Sequence, residues 1–475
     1  MNHDFKRLFN PRSIAIIGVN EKPYGGGFFL KCLKAINYDK PIYLFNPRLK
    51  GKKIHGIEVF GSVLELAETH QVDYAIVAVP ARACPSVLEE IGKKGIPYVS
   101  IFSSGFSEIG NVELEKNLLE IARKYNFRII GPNCLGIYVP MNKVSFSWRL
   151  NSKSGNFGLI SQSGGLAIQL SLMASNIFEN PISKAISIGN QVDLNFVDFL
   201  KYFYLDNDTD VIGLYLENIK SKKQGRKFLK IVKKLTLKNK PVIIWRVGAG
   251  ESSKEAIKSH TGGLATSNEI WEAISKQTGA CLVNNAFELE NLAMTFKYVE
   301  KYPPNENIGI VSVGGGASIQ VSDVLEQHGL KIPKLNPKTQ KNILNFIPDV
   351  NTIVRNPLDL GSSGIDPNIF CETIAALDND PNISLIVFAW VVSFDKIAID
   401  SIREVKKRVK KPVLALVYKL YDDIDYLNSY IKFKKELFEL KIPVYESLDL
   451  LAKSLVHFFK FKRFYERNYE INNKL

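Results

Sequence analysis

The 475-residue sequence lacks most of the marks that would assign it quickly to a specialised class. Its five cysteines, Cys32, Cys84, Cys134, Cys281 and Cys371, are scattered without CxxC spacing. That excludes a disulfide frame and a zinc-ribbon pattern and leaves reduced thiols. No run of about 18 apolar residues occurs, so no membrane span is expected. No apolar signal core precedes the first strand in "MNHDFKRLFNPRSIAIIG", so export is not expected and the chain reads as cytoplasmic. Low-complexity segments are absent. Acidic residues are absent from Asn218 through Gly250, within a chain of formal charge +14.

What is present reads as an ordinary globular protein, with 45% hydrophobic and 23% charged residues. The basic excess falls in amphipathic segments. "KKQGRKFLKIVKKLTLKNK" places Phe228, Ile231, Val232 and Leu235 on one helical face and lysines on the other. "IREVKKRVKKP" repeats the pattern with Ile402, Val405 and Val409. Solvated helix faces explain this better than a nucleic-acid surface, although the field favours small polyanions.

Short β-branched runs alternate with longer amphipathic segments, the pattern of βαβ units and parallel sheets. Five strands are expected in residues 1–145: "SIAIIG", "PIYLFNP", "DYAIVAVP", "YVSIFSSG" and "FRIIGPNCLG". They predict a doubly wound, Rossmann-like domain. Residues 146–300 open on "NFGLISQSGG", and residues 301–475 on "IGIVSVGGGAS" after "YPPNEN", a stretch suited to a linker. Both openings read strand, small residues, helix. They predict two copies of one flavodoxin-like architecture.

In "IAIIGVNEKPYGGGFFLKCL" a strand ends at Gly18 and a loop containing Gly25 leads into a helix, whose free N–H groups suit a phosphate. This is not GxGxxG, and the acid that an NAD site needs after its second strand is missing. "FNPRLKGKK" offers Asn46, Arg48 and Lys50 instead. That chemistry fits a phosphorylated ribose, such as the 3′-phosphate ribose of coenzyme A, and disfavours an NAD(P) oxidoreductase. The same residues also suit a tight turn beside a soluble basic loop. Val79 and Pro80, the segment Ser103 to Glu108, and "GPNCLG" with Asn133 end the next three strands. "LISQSGGLAIQL" offers Ser163, Gly164 and Gly165 at a helix start as an anion seat; it is neither a Walker A loop nor a GxSxG elbow. His260 in "KSHTGGLATS" has glycines on both sides and no metal set around it, which points to nucleophilic chemistry at a ring nitrogen. Glu217, ending "VIGLYLE", is the best carboxylate to hold the other nitrogen.

Together "GPNCLG", "GLISQSGGLA", "SIGNQVDLNFVDFL", "YLE" and "SHTGGLA", in that order, resemble the NDP-forming acyl-CoA synthetases, and within them the α chain of ADP-forming acetate–CoA ligases, relatives of succinyl-CoA synthetase. The resemblance implies a Rossmann-like CoA-binding domain followed by two flavodoxin-like domains. It implies a phosphohistidine at His260 with Glu217 as partner, and a phosphate seat at Ser163, Gly164 and Gly165. Gly18, Asn20, Gly25, Arg48, Val79, Pro80 and Asn133 would bind CoA. It further implies an ATP-grasp β subunit carrying ADP or ATP with Mg2+, in an α2β2 assembly, because three domains use up the chain. No nucleic acid, membrane or bound metal is expected. A CoA- or acyl-CoA-binding protein without ligase activity is the alternative. Arg246 stands where lysine is common in that family, and Thr266 where glycine is common.

Overall fold

The computed structural model describes residues 5–473, apart from 23, 249, 254, 256, 258–265, 348–353 and 391–395. The chain divides into two compact units, Met1–Leu289 and Glu290–Leu475. It is an α/β protein built on three parallel-dominated sheets. Most of their strands are buried residue after residue, as expected of parallel strands covered by helices on both faces.

The first sheet comprises β1 (Ile14–Ile17), β2 (Ile42–Phe45), β3 (Lys53–Ile54), β4 (Ile57–Phe60), β5 (Tyr74–Val77), β6 (Tyr98–Ile101) and β7 (Arg128–Ile130). Their order is β3-β4-β2-β1-β5-β6-β7, and all pairings are parallel except β3 with β4. Leaving out β3, this is the 3-2-1-4-5-6 order of a Rossmann-like sheet. The β3–β4 ribbon lies in the basic stretch after "FNPR", where no apolar run announces a strand.

The second sheet holds β8 (Gly136–Tyr138), β9 (Phe157–Ser161), β10 (Ile182–Ser187), β11 (Val211–Leu216), β12 (Val242–Arg246) and β13 (Cys281–Val283), ordered β13-β12-β11-β9-β10-β8. The third holds β14 (Ile308–Ser312), β15 (Leu358–Asp359), β16 (Leu385–Trp390), β17 (Val413–Val417) and β18 (Val444–Tyr445), ordered β15-β14-β16-β17-β18. The five parallel strands of each follow the flavodoxin order 2-1-3-4-5. The expected duplication is therefore present. "FRIIGPNCLG", expected as one strand, is instead split between two sheets. Its start is β7, residues 131–135 leave the sheet, and its last residue, Gly136, opens β8, which pairs antiparallel with β10.

The basic helix behaves as its periodicity predicts: Phe228, Ile231, Val232 and Leu235 of Lys222–Leu237 are buried. No helix among the described residues is long and apolar enough to cross a membrane.

A carboxylate clamp fixes the entrance to β5. Asp73, fully buried, accepts from Arg7 Nε at 2.8 Å, from Arg12 Nε at 2.8 Å and from the Arg12 amide at 2.9 Å. Burial alone would raise this carboxyl, but the hydrogen bonds from Arg12 and Arg7 outweigh it and bring it to about 2. A carboxyl lowered from its unfolded value of 3.8 contributes its stability above about pH 4 and loses it as pH falls towards 2. The contribution is about 2 kcal/mol. Acid titration of Asp73→Asn should therefore show a shallower fall in stability between pH 4 and 2 than the parent chain.

Candidate functional site

Two cavities open at the carboxyl ends of strands in the first unit. The first, about 530 Å³, lies where strand order reverses between β1 and β5. Gly18, Asn20, Arg48, Val79 and Pro80 all line it, with Asn46 beside them. Gly18 has φ +88°, and a Cβ there would stand 2.5 Å from the Ala78 carbonyl oxygen. Only glycine brings these two strand ends so close. The helix Gly26–Ala35 follows, and no side chain caps its start. Its first N–H groups thus suit a phosphate. Gly25 is the N-cap residue, packed against Asn20 and outside the cavity lining. Asn46 fixes the basic turn: its Nδ2 donates to Val19 O at 2.7 Å, and its Oδ1 accepts from the Arg48 amide at 3.0 Å. Lys50 does not line this cavity. It is ion-paired to Glu65 at 2.9 Å, 15 residues on, while the Arg48 side chain has no such partner among the described residues.

The second cavity, about 440 Å³, joins motifs that lie far apart in the sequence. Asn133 lines it together with Ser163, Gly164 and Gly165. Ser163 caps the helix Gly164–Asn176, its Oγ accepting from the Leu166 amide. A Cβ on Gly165 would meet nothing within 4 Å, so this face of the helix start is open. The wall is closed by close backbone approach: a Cβ on Gly189 would stand 2.2 Å from Pro132 O, and the Asn190 amide donates to that same oxygen at 2.9 Å. A bidentate Arg128–Asp193 pair, at 2.7 and 2.8 Å, fastens β7 to the same segment.

Glu217 is buried just past β11, next to β9 at the switch point of the second sheet. Its amide donates to Gln162 Oε1 at 3.1 Å, and Gln162 lines the second cavity. His260 lies outside the described residues. Thr266, a few residues beyond it, accepts from the Ile219 amide at 3.1 Å, two residues past Glu217. Arg246, at the end of β12, pairs with Glu272 at 3.0 Å and donates to Asn284 Oδ1 at 3.0 Å.

Several lining residues were not singled out from the sequence. Gln162 and Asn190 sit inside the quoted motifs, so their position was the available signal. Asn190 Nδ2 donates to Glu108 Oε2 at 2.6 Å and to Glu115 Oε2 at 2.8 Å. Burial would raise the Glu108 carboxyl, but the hydrogen bond from Asn190 and those from nearby amides hold it below its ordinary value. Lys220 Nζ donates to Asn190 O, and desolvation lowers its pKa. Phe28, Phe102, Leu135 and Ile168 supply the apolar part of the wall and carry no sequence signal. In the second unit the equivalent helix start is taken by a side chain: Asp359 Oδ1 accepts from the Gly314 and Gly361 amides, each at 2.9 Å.

A nucleotide-type sheet is followed on this chain by a flavodoxin-like sheet with an open helix start, and two family models match in the same order. Residues 12–140 match the CoA binding domain family, and residues 154–296 the succinyl-CoA ligase-like flavodoxin domain family. The ADP-forming acetate–CoA ligase II α subunit of Pyrococcus furiosus is 36% identical over 458 residues, covering 94% of this chain and 95% of the relative. The ADP-forming acetate–CoA ligase of Methanocaldococcus jannaschii is 37% identical over 363 residues, but this chain spans only 49% of its length. A solved structure of Candidatus Korarchaeum cryptofilum dinucleotide-forming acetyl-CoA synthetase 1, in complex with phosphate and ADP, superposes with TM-score 0.85 at 26% identity, covering 100% of this chain and 99% of that one. The chain belongs to the family of ADP-forming acetate–CoA ligases, on the side of their α subunits.

Proposed function

We propose that the chain is the CoA-binding, phosphohistidine-bearing subunit of an ADP-forming acyl-CoA synthetase working in the cytoplasm. The observation that carries this reading is the second cavity. It gathers an open helix start, Asn133 from the first sheet and Gln162, which holds Glu217, around one space. In the proposed sequence, CoA lies along the first cavity with its thioester at the second. A phosphate oxygen attacks the thioester carbonyl, the C–S bond breaks, and CoA leaves as thiolate. A nitrogen of His260 then attacks phosphorus and the carboxylate departs. The phosphoryl group rests against the N–H groups at Gly164 and Gly165, where the helix dipole contributes about 0.3–1 kcal/mol, and Glu217 orients the other ring nitrogen. Transfer to ADP, with Mg2+, takes place on an ATP-grasp β subunit, in an α2β2 assembly. The M. jannaschii relative, about twice as long, has room for both parts on one chain.

The fit to CoA rests on the first cavity: the Gly18 approach, the uncapped helix start and an Arg48 side chain without a partner among the described residues. A charge-assisted contact is worth about 1.5–3 kcal/mol. Dephospho-CoA should therefore bind roughly tenfold more weakly than CoA by calorimetry. Arg48→Ala should weaken CoA to the same degree and leave dephospho-CoA unchanged. Equal affinities for both ligands would remove the 3′-phosphate contact from this loop.

A further inference from the structure

We propose that a cavity at the amino ends of β17 and β18 binds linked phosphoryl groups, a diphosphate or longer, and that Lys301, Lys406 and Lys410 hold them.

The cavity, about 220 Å³, lies within the second unit. Its strands run parallel, so their carboxyl ends, with the Gly314 helix start after β14, lie on the opposite side of the sheet. Five lysines, Lys301, Lys406, Lys410, Lys411 and Lys441, line it with one carboxylate, Glu300. The fold accounts for two of the five. Lys441 pairs with Glu300 at 2.6 Å, and Lys411 Nζ donates to Leu377 O at 3.1 Å and to Asp380 O at 2.6 Å. The side chains of Lys301, Lys406 and Lys410 have no hydrogen-bond or ion-pair partner among the described residues. Two further acids stand near. Asp378 Oδ1 accepts from the Lys410 and Lys411 amides at 3.0 and 2.8 Å, and Asp380 accepts from the Asn336 and Asn382 amides. Five ammoniums therefore face three carboxylates, each already engaged.

Lys406 is half-buried, and desolvation lowers its pKa although Asp378 and Glu300 favour the charged form. Like charges gathered in a partly desolvated recess repel one another, and a bound polyanion turns that repulsion into attraction. Solvation accounts for the neighbouring Lys407, which is exposed and pairs with Glu404 at 2.6 Å, but not for Lys406. The recess is smaller than the roughly 300–1,000 Å³ of sites that enclose drug-sized molecules, so its ligand is compact. Lysines act on phosphate as point charges. The three without partners come from three places: just past the helix Ala286–Tyr298, within the helix Lys396–Arg408 and in the approach to β17. Linked phosphoryl groups spread charge to all three, whereas one orthophosphate concentrates it at a single centre.

The test is limited acetylation of the full chain by an amine-reactive acetyl ester, mapped by mass spectrometry, with increasing inorganic diphosphate. This local readout keeps the cavity apart from the CoA and phosphate sites proposed above. Lys406 and Lys410 should be protected and Lys407 should not. The diphosphate concentration that halves Lys410 modification should rise roughly tenfold in Lys406→Gln, which removes one charge-assisted contact. In Lys407→Gln it should stay within about twofold. Lys410→Gln, on the exposed rim, repeats the test with Lys406 as reporter. Orthophosphate should need a concentration at least roughly tenfold higher than diphosphate. ADP separates the two sources of this chemistry. Stronger protection by ADP than by diphosphate supports the phosphate tail of a nucleotide, and equal or weaker protection supports free diphosphate; either supports the site. No protection at Lys406 and Lys410, equal protection by orthophosphate, or a midpoint unmoved by Lys406→Gln overturns the proposal.

Discussion

His260→Ala, assayed with an ATP-grasp partner, is expected to lose acyl-CoA formation by roughly 10³-fold or more, the scale seen when a covalent nucleophile is removed. CoA affinity should stay within about twofold, because the cavity with Gly18 and Arg48 is built from other strands. The split between the two readouts matters: a merely structural histidine would leave turnover standing or lower both. Glu217→Gln is expected to slow turnover less, since an amide still hydrogen-bonds the ring but no longer favours its charged form. CoA affinity should again be unchanged. Catalysis by His260→Ala at the parent rate would mean that phosphate does not pass through this residue.

Gly18→Ala should be strongly damaging to the first domain. At φ +88° a Cβ costs about 1–2 kcal/mol. Here it would also stand 2.5 Å from Ala78 O and 2.9 Å from Val79 Cγ1, atoms of the packed neighbouring strand end. Overpacking of this kind costs a further 1–3 kcal/mol, roughly. The strands can relieve the contact only by moving apart, which displaces Val79, Pro80 and the helix start together. Thermal unfolding should fall by about 5–10 °C, from roughly 2–4 °C per kcal/mol for a unit of this size. CoA binding should drop below detection. Gly165→Ala is the contrasting case: its Cβ would meet nothing within 4 Å, so stability should hold.

Fold class and duplication were legible because fully buried parallel strands advertise themselves as uninterrupted apolar runs. Partnership between strands was less so. Gly136–Tyr138 follows β7 after only residues 131–135, and nothing local says that it pairs with β10. The β3–β4 ribbon was hidden by its lysines and by its length. At the site, strand ends and helix starts drew attention to most of its residues, and the family resemblance supplied Asn20 and the CoA role. Gly18, Asn20, Arg48, Val79 and Pro80 share one cavity, and Asn133 and the Ser163 seat share the other. Side chains whose surroundings depend on distant partners were not readable: Lys50 pairs with Glu65, and Phe28, on the helix Gly26–Ala35, meets Phe102, just past β6.

The central claim is that CoA chemistry and the phosphorylated histidine reside on this one chain. The most direct measurement uses the purified chain alone, without nucleotide or partner, incubated with an acyl-CoA and ³²P-labelled phosphate, followed by peptide mapping. The account predicts acid-labile, base-stable label on the peptide containing His260, formed only when acyl-CoA is present and absent from His260→Ala. Label on another residue, or no label under conditions in which CoA binding is demonstrable, would contradict it.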